Sequence, residues 1–167
     1  TDASGNAIEC LLQSHLLFKS GKIVFGIELC EDLWSMIPPS SLMAEQGAFI
    51  IANLSASNAL VGKKEYRKSL VNMQSASTIS AYLYASSGPS ESTMDTVFSG
   101  HTMIAENGVM LAEGLAHSFE TTIIYADIDI DVLLHERRTL SRTQASHAMA
   151  FTVFERSEEH TSELQSQ

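Results

Sequence analysis

The side chains with the clearest chemical potential in this sequence lie in residues 26–34, where an apolar run ends in a cysteine, two carboxylates and a tryptophan. The run before Cys30, residues 23–27, predicts a strand buried on both faces. A thiol at the C-terminal end of such a strand would lie at the edge of an α/β sheet where ligands commonly bind. Cys30 is therefore a candidate nucleophile.

Two interpretations of this segment are open on the residues alone. A free cysteine is most often a small buried hydrophobic residue, and Trp34 could equally be a core anchor. Glu31 and Asp32 weigh against a purely structural segment, because carboxylates beside an apolar strand are costly to bury unless they are paired or used. Two adjacent anions also oppose thiolate formation, so a nucleophilic Cys30 requires a cation or a general base from elsewhere.

The segment resembles the nucleophile motif of the nitrilase superfamily, and in particular the glutaminase domains of the glutamine-dependent NAD synthetase family. The similarity extends over several motifs in the family's order, which is far more specific than one Cys-Glu-Asp triplet. The matching segments are 21–34, 38–40, 52–57, 62–67, 81–85, 91–95, 100–108 and 136–138.

The resemblance implies a Cys-Lys-Glu triad, in which Cys30 attacks the side-chain carboxamide of glutamine and forms a glutamyl thioester. The backbone N–H of Glu31 would help the lysine to hold the tetrahedral oxyanion. Glu31, Trp34 and Ser57 match the family's glutamine pocket, with Glu31 suited to the α-ammonium group and Trp34 to the methylene stem. Taken alone, Ser57 could also belong to a turn after a strand.

One departure from the family concerns the other two members of the triad. In the family the general-base glutamate and the lysine lie well upstream of the cysteine, whereas 29 residues precede Cys30 here. Lys19 and Lys22 fall in a predicted hairpin turn, and Glu9 and Glu28 lack the family's surrounding pattern. We therefore expect this chain to be a fragment without those two residues and without useful activity alone.

The predicted fold class is α/β, with residues 1–155 forming the C-terminal half of a nitrilase-type α-β-β-α sandwich. Residues 156–167 are rich in Ser and Glu and have no apolar periodicity, so they are predicted to be disordered. This tail also resembles the translation of a common sequencing-library adapter, which would place it outside the evolved protein.

Composition and charge limit the partners and the compartment. The formal charge of −10, which becomes −8 without the three Glu and one Arg of the tail, argues against nucleic acid and anionic membranes as partners. Cys10 and Cys30 have neither a CxxC spacing nor the density of a disulfide framework, so a cytoplasmic location is expected. No run approaches the roughly 18 apolar residues of a membrane span.

The resemblance implies glutamine as the substrate and a synthetase domain of the same full-length chain as the partner. ATP and magnesium are expected only in that synthetase domain, and the full-length protein is expected to be a homo-oligomer. We expect no cofactor or metal here, because the histidines lack metal-ligand spacing. The acidic residues 127, 129 and 131 lack the Gly and Glu that complete an EF-hand loop.

Alternative functions stay open at this stage. A stand-alone nitrilase-type amidase or carbamoylase would have a different pocket from Glu31 and Ser57. A catalytically incomplete structural piece is the alternative outside the enzymes. Residues 88–92 approach the GxSxG motif of serine hydrolases but lack its final glycine, which disfavours that class.

The rest of the pattern predicts alternating strands and helices. Asn107-Gly108 predicts a tight hairpin, and the spacing of Tyr66, Leu70, Met73 and Ala76 predicts that this stripe of a long helix packs on the sheet. Strands are predicted at 15–18, 23–29, 49–54, 81–85, 102–105, 109–112 and 121–128, and helices at 38–46, 63–79 and 129–138.

Overall fold

One mixed β-sheet and three α-helices make up the described residues, 16–139 and 151–155, of the computed structural model. The strands are β1 Leu16–Ser20, β2 Ile23–Leu29, β3 Ile50–Ser55, β4 Ala81–Ser86, β5 Thr102–Glu106, β6 Val109–Glu113 and β7 Thr152–Glu155. The helices are α1 Pro39–Glu45, α2 Lys63–Thr78 and α3 Ile130–Thr139, and short 3₁₀ helices cover Cys30–Trp34 and Pro89–Glu91.

The strand order places three parallel strands at the centre of the sheet. The order is β6-β5-β4-β3-β2-β1-β7, with β2, β3 and β4 parallel and joined through α1 and α2. Helical crossovers are the usual way to connect parallel strands. Leu29 pairs with Leu54, which pairs with Ala85, so the C-terminal ends of the three strands meet at one edge of the sheet. We call this edge the C-terminal edge.

The main hydrophobic core lies between the sheet and helices α1 and α2. The sheet alternates side chains between its two faces, so every second residue of a strand points toward these helices. The buried members of this core are Leu17, Leu33, Met43, Ala48, Ile51, Val71, Tyr82, Tyr84, Met103 and Ala105.

The predicted turns and most predicted elements are confirmed. Asn107 and Gly108 both have positive φ angles, 45° and 86°, as a type I′ turn between β5 and β6 requires. Helix α3 begins where its acids predicted, since Asp129 Oδ1 accepts a hydrogen bond from the Val132 N–H at 3.0 Å. None of the described helices is long and apolar enough to cross a membrane.

The prediction for the buried stripe of α2 was right for Leu70, which packs against the main core, but the buried face is centred about one residue further along the helix. Tyr66 and Met73 are exposed, at 57% and 67%. The buried face instead carries Arg67, Val71, Gln74, Ser75 and Thr78. These polar side chains can be buried because Arg67 and Gln74 form hydrogen bonds in the interior. Hydrophobic periodicity alone could not indicate that burial.

The prediction that β2 is buried on both faces was also wrong. Ile27 and Leu29 are 40% and 59% exposed, and their neighbour Leu54 on β3 is 56% exposed. They lie on the face of the sheet opposite α1 and α2, which we call the open face. In an α-β-β-α sandwich two sheets pack face to face, and the apolar character of the open face fits that arrangement.

Two further predictions about strands differ from the structure. Residues 121–128 are not a strand, although their composition is apolar and β-branched, because they have no sheet partner among the described residues. Strand β7 was not predicted, and it pairs in parallel with β1 at the sheet edge. The predicted disordered tail, 156–167, and Cys10 lie outside the described residues, so the proposed domain limit remains a prediction.

Helix α3 closes the other end of the parallel strands. Arg137 donates hydrogen bonds to the carbonyl oxygens of Thr78, Ile79, Ala44 and Ala48, just before β3 and β4 begin. Burial lowers its pKa to about 10. A residue predicted only to complement the helix dipole therefore binds four carbonyl groups at the edge opposite the C-terminal edge.

Substitutions at two glycines with positive φ distinguish the cost of backbone strain from the cost of a steric clash. Gly47 (φ 100°) has no atom within 4 Å of a built Cβ, whereas at Gly108 (φ 86°) a Cβ would lie 2.8 Å from Ala76 Cβ. We expect Gly47→Ala to lower the free energy of unfolding by about 1–2 kcal/mol, and Gly108→Ala to lower it more, because α2 must also shift. Urea unfolding of both variants measures the difference, and equal losses would contradict the packing described for α2.

Candidate active site

The turn that follows β2 holds Cys30 in a strained backbone conformation. Cys30 has a φ of 44°, in the left-handed region that non-glycine residues rarely adopt. Strain at a non-glycine residue is often found at functional sites, where the surrounding structure must enforce it. Asp32 enforces it here, because its Oδ2 accepts a hydrogen bond from the Leu29 N–H at 2.7 Å and its carbonyl accepts one from the Ser35 N–H at 3.2 Å.

This geometry resolves the question of the two carboxylates beside the strand. Asp32 is paired with the backbone and shapes the turn, while Glu31 is exposed. Cys30 is a free, half-buried thiol. It therefore lies at the surface end of a sharp strand-to-helix turn, a position that presents the nucleophile in α/β-hydrolases.

Below Cys30, a buried polar network joins the three central strands to α1. Glu28 is two residues before Cys30 on β2 and is 2% exposed. Its carboxylate accepts hydrogen bonds from the Ser40 N–H at 2.8 Å and from the Tyr82 hydroxyl, with Asn53 Nδ2 at 3.5 Å. Asn53 also donates to the Tyr82 oxygen at 3.1 Å. These contacts hold β2, β3, β4 and the first turn of α1 in one arrangement.

Electrostatics keep the tyrosine of this network neutral. Burial, and then the charge of Glu28 and the hydrogen bond to it, raise the pKa of Tyr82 well above its usual range. A neutral phenol donates its proton to the carboxylate, as the geometry requires. Gln74 of α2 extends the network, since its Nε2 donates to Ser40 Oγ at 2.9 Å and to Ser41 Oγ at 3.0 Å.

Ser57 lies just past the end of β3 and is bound by a buried arginine. Arg67, on α2, is 1% exposed, and its Nη2 donates to Ser57 Oγ at 3.1 Å and to the Asn58 carbonyl oxygen at 3.3 Å. The guanidinium carbon lies 5.8 Å from the centroid of the Tyr84 ring, within the range of a cation–π contact. Ser57 is thus ordered rather than a free turn residue.

The other side of the arginine contacts an imidazole and an ion cluster. His101 is completely buried, with Nδ1 at 3.4 Å from Arg67 Nη1 and Nε2 at 3.0 Å from Glu113 Oε1. Glu113 also pairs with Lys68 at 2.5 Å and with Lys64 at 3.4 Å. We call Arg67, His101 and Glu113 the relay.

Two groups of the relay have shifted pKa values. Burial lowers the pKa of His101, against an opposing hydrogen bond to Glu113. The hydrogen bond from Lys68 is the main cause that lowers the pKa of Glu113 to about 2, helped by His101 and by the charges of both lysines. His101 is therefore neutral and Glu113 ionised near neutral pH.

Trp34 lies partly in the core and partly at the surface. It is half-buried and packs against the main core. Its ring lies 5.4 Å from the Tyr66 ring, and Lys63 Nζ lies 5.2 Å from its centroid. Lys63 in turn donates a hydrogen bond to Asn58 Oδ1. The residues that follow β2 and β3 are thereby connected through the start of α2.

The predicted site residues fall into one region of the sheet. Cys30, Glu31 and Trp34 follow β2, and Ser57 follows β3, so all four lie at the C-terminal edge. Sequence reasoning missed the residues that support them, Glu28, Arg67, His101 and Glu113. From the sequence, Glu28 is a possible base and His101 a possible metal ligand, and neither is indicated as a supporting residue. The spacing of Arg67, Val71 and Gln74, which form one helical stripe, was the signal that could have indicated buried polar residues.

Comparisons with known proteins show what the chain as a whole is similar to. No family model matches the sequence. The glutamine-dependent NAD(+) synthetase of Mycobacterium tuberculosis is 40% identical over 125 residues, which are 73% of this chain and 18% of that protein. The crystal structure of a glutamine-dependent NAD(+) synthetase from Cytophaga hutchinsonii superimposes with a TM-score of 0.58 at 29% identity, over 68% of this chain and 18% of that one. This chain is a relative of the glutamine-dependent NAD(+) synthetases.

The fold is also similar to that of a protein with lower sequence identity. Saccharomyces cerevisiae Nit3, a member of branch 10 of the nitrilase superfamily, superimposes with a TM-score of 0.59 at 23% identity. The match covers 72% of this chain and 43% of Nit3. The predicted nitrilase-type α/β fold is thus confirmed. The chain spans about a fifth of the length of the curated NAD(+) synthetases that it matches.

The shifted pKa values of the relay make the stability of this chain depend on pH. The pKa of Glu113 is lower in the folded chain than its ordinary value of 4.5, so the unfolded state binds more protons and stability falls as pH drops through about 4.5 toward 2. The lowered pKa of His101 acts in the same direction, with its loss beginning near pH 6.5, the ordinary value.

We therefore expect acid to destabilise the wild-type chain in two steps. His101→Gln removes the step that begins near the histidine value, and Glu113→Gln removes the later one. Urea midpoints measured from about pH 7 to pH 3 give the comparison. A Glu113→Gln variant whose midpoint falls with pH as steeply as that of the wild type would contradict the assignment.

Proposed function

We propose that this chain supplies the nucleophile of a glutaminase that feeds ammonia to NAD synthesis. The observation that carries the proposal is Cys30, a half-buried thiol with a φ of 44° at the C-terminal edge. It occupies this position in a chain 40% identical to a glutamine-dependent NAD(+) synthetase. Strain at a residue with nucleophilic chemistry favours a functional role over a packing role.

In the proposed reaction, the Cys30 thiolate attacks the carboxamide carbon of glutamine. The C–N bond breaks, ammonia leaves with a proton from the general acid, and a glutamyl thioester remains. Water then attacks the thioester, which releases glutamate and regenerates the thiol. The Glu31 N–H, next to the nucleophile, is a candidate donor to the oxyanion of each tetrahedral intermediate. The triad glutamate and lysine have no assigned counterpart among the described residues.

The proposed glutamine pocket uses Glu31, Trp34 and Ser57. Glu31 is exposed and offers a carboxylate for the α-ammonium group. Trp34 is braced by Tyr66 and offers a ring face for the methylene stem. Ser57 Oγ accepts from Arg67, so its own O–H is available to donate to an oxygen of the substrate.

The whole protein is proposed to couple this hydrolysis to a second reaction. A synthetase domain in the same full-length chain would bind ATP and magnesium and use the ammonia to convert deamido-NAD to NAD. The relatives' name, glutamine-dependent NAD(+) synthetase, supports this coupling. A cytoplasmic, homo-oligomeric full-length protein remains our prediction.

The decisive substitution is Cys30→Ala in the full-length protein, by which we mean the complete reading frame that contains this segment. We expect NAD synthesis from glutamine to fall at least about 10³-fold, because the nucleophile is lost, while synthesis from added ammonium is unchanged. Cys10→Ala is the matched thiol control and should leave both activities unchanged. NAD formation is measured with each nitrogen source.

Other outcomes of that experiment would separate the alternatives. Loss of both activities in Cys30→Ala would show that Cys30 has a structural role. A wild-type protein that hydrolyses other amides or carbamoyl compounds, but makes no NAD from glutamine, would indicate a stand-alone amidase. Wild-type activity from ammonium alone would indicate a glutaminase region without catalytic function.

A separate prediction concerns the 167-residue chain by itself. Triad members act as a unit, and loss of one removes most of the rate enhancement. We therefore expect this chain to release ammonia from glutamine no faster than its Cys30→Ala variant. A coupled glutamate dehydrogenase assay measures the release. Turnover clearly above that of the Cys30→Ala variant would show that the chain contains a complete catalytic apparatus.

A further inference from the structure

A buried arginine beside the proposed pocket has an unusual set of partners. The guanidinium of Arg67 contacts the hydroxyl of Ser57, the carbonyl of Asn58 and the imidazole of His101. The carboxylate of this cluster, Glu113, lies on the far side of the imidazole. The positive charge of Arg67 is therefore connected to a negative charge through one neutral ring.

Hydrogen-bond chemistry determines which way this ring is protonated. A guanidinium can only donate, so the His101 Nδ1 that faces it must accept. The proton of the neutral ring then lies on Nε2, which donates to Glu113 Oε1 at 3.0 Å. One tautomer satisfies both contacts. Lys64 and Lys68 hold Glu113 at the surface end of the relay.

The same constraint extends to the serine. Arg67 Nη2 donates to Ser57 Oγ, so the serine oxygen accepts and its proton must point to another partner. The second contact of this nitrogen, to the Asn58 carbonyl oxygen at 3.3 Å, holds the loop after β3 in place. The orientation of the guanidinium therefore determines where the Ser57 proton can be directed.

We propose that Arg67, held by His101 and Glu113, is a positioning residue that orients the Ser57 hydroxyl as a hydrogen-bond donor to glutamine. This inference rests on the proposed function of the site. It assigns to the relay a part in substrate affinity rather than in bond breaking, because its hydrogen bonds among the described residues lead to Ser57 and not to Cys30.

The test uses His101 variants of the full-length protein. His101→Leu introduces an apolar side chain of similar size that cannot accept a hydrogen bond from Arg67. We expect this variant to raise the KM for glutamine about tenfold, as the loss of one charge-assisted hydrogen bond would. The kcat should change less than about threefold, and synthesis from ammonium should not change. His101→Gln, whose amide can accept from Arg67 and donate to Glu113, should return the KM to within about threefold of wild type.

Two controls distinguish positioning from a general loss of stability. Arg137→Lys disturbs the opposite edge of the sheet and should lower stability without a change in the KM for glutamine. In the double variant His101→Leu with Ser57→Ala, the KM should be no higher than in Ser57→Ala alone, because His101 acts through the serine. Additive effects of the two changes would overturn the proposal.

A spectroscopic measurement tests the relay without relying on activity. In the full-length protein, ¹⁵N-labelled histidine should show a His101 ring with a protonated Nε2 and an unprotonated Nδ1, assigned by its absence in His101→Gln. The opposite tautomer would overturn the inference. If the wild-type full-length protein makes no NAD from glutamine, the proposed function fails. If it does so and His101→Leu leaves the KM unchanged, only the relay inference fails.

Discussion

The burial of the Glu28 carboxylate is the constraint on which the site depends. An anion in a protein interior is costly unless its oxygens are bound by donors. Here the donors come from three different elements, the first turn of α1, strand β3 and strand β4. The ends of β2, β3 and β4 therefore take one relative position. Cys30 follows Glu28 by two residues, so the same contacts determine where the thiol lies.

The relay repeats this design on the neighbouring strand end. Arg67 holds the loop after β3 as Glu28 holds the end of β2, and in both cases a buried charged group is bound by neutral partners from several elements. Arg67 Nε and Asn53 Oδ1 are buried without a hydrogen-bond partner. The strained turn at Cys30 directly follows the Glu28 network, and its backbone conformation depends on how firmly the surrounding residues are held.

The sequence could predict most of the elements but not their polar interior. The Asn107-Gly108 turn, the short helix after Pro38 and the strand before Cys30 follow from local chemistry, and all were found. The buried face of α2 was missed, because periodicity counts Arg67 and Gln74 as solvent-facing. Residues 121–128 show the opposite failure, since β-branched composition favours a strand but cannot supply a neighbouring one. The site residues came from a family resemblance, and the residues that support them came from geometry.

The open face has a consequence for any preparation of this chain by itself. Ile27, Leu29 and Leu54 would form part of an apolar surface exposed to water. Surfaces of this kind drive self-association and recruit chaperones. The chain can be well packed on the side of the sheet that α1 and α2 cover and still precipitate at high concentration. A preparation that stays in solution would depend on a layer that covers these side chains, such as a fusion partner.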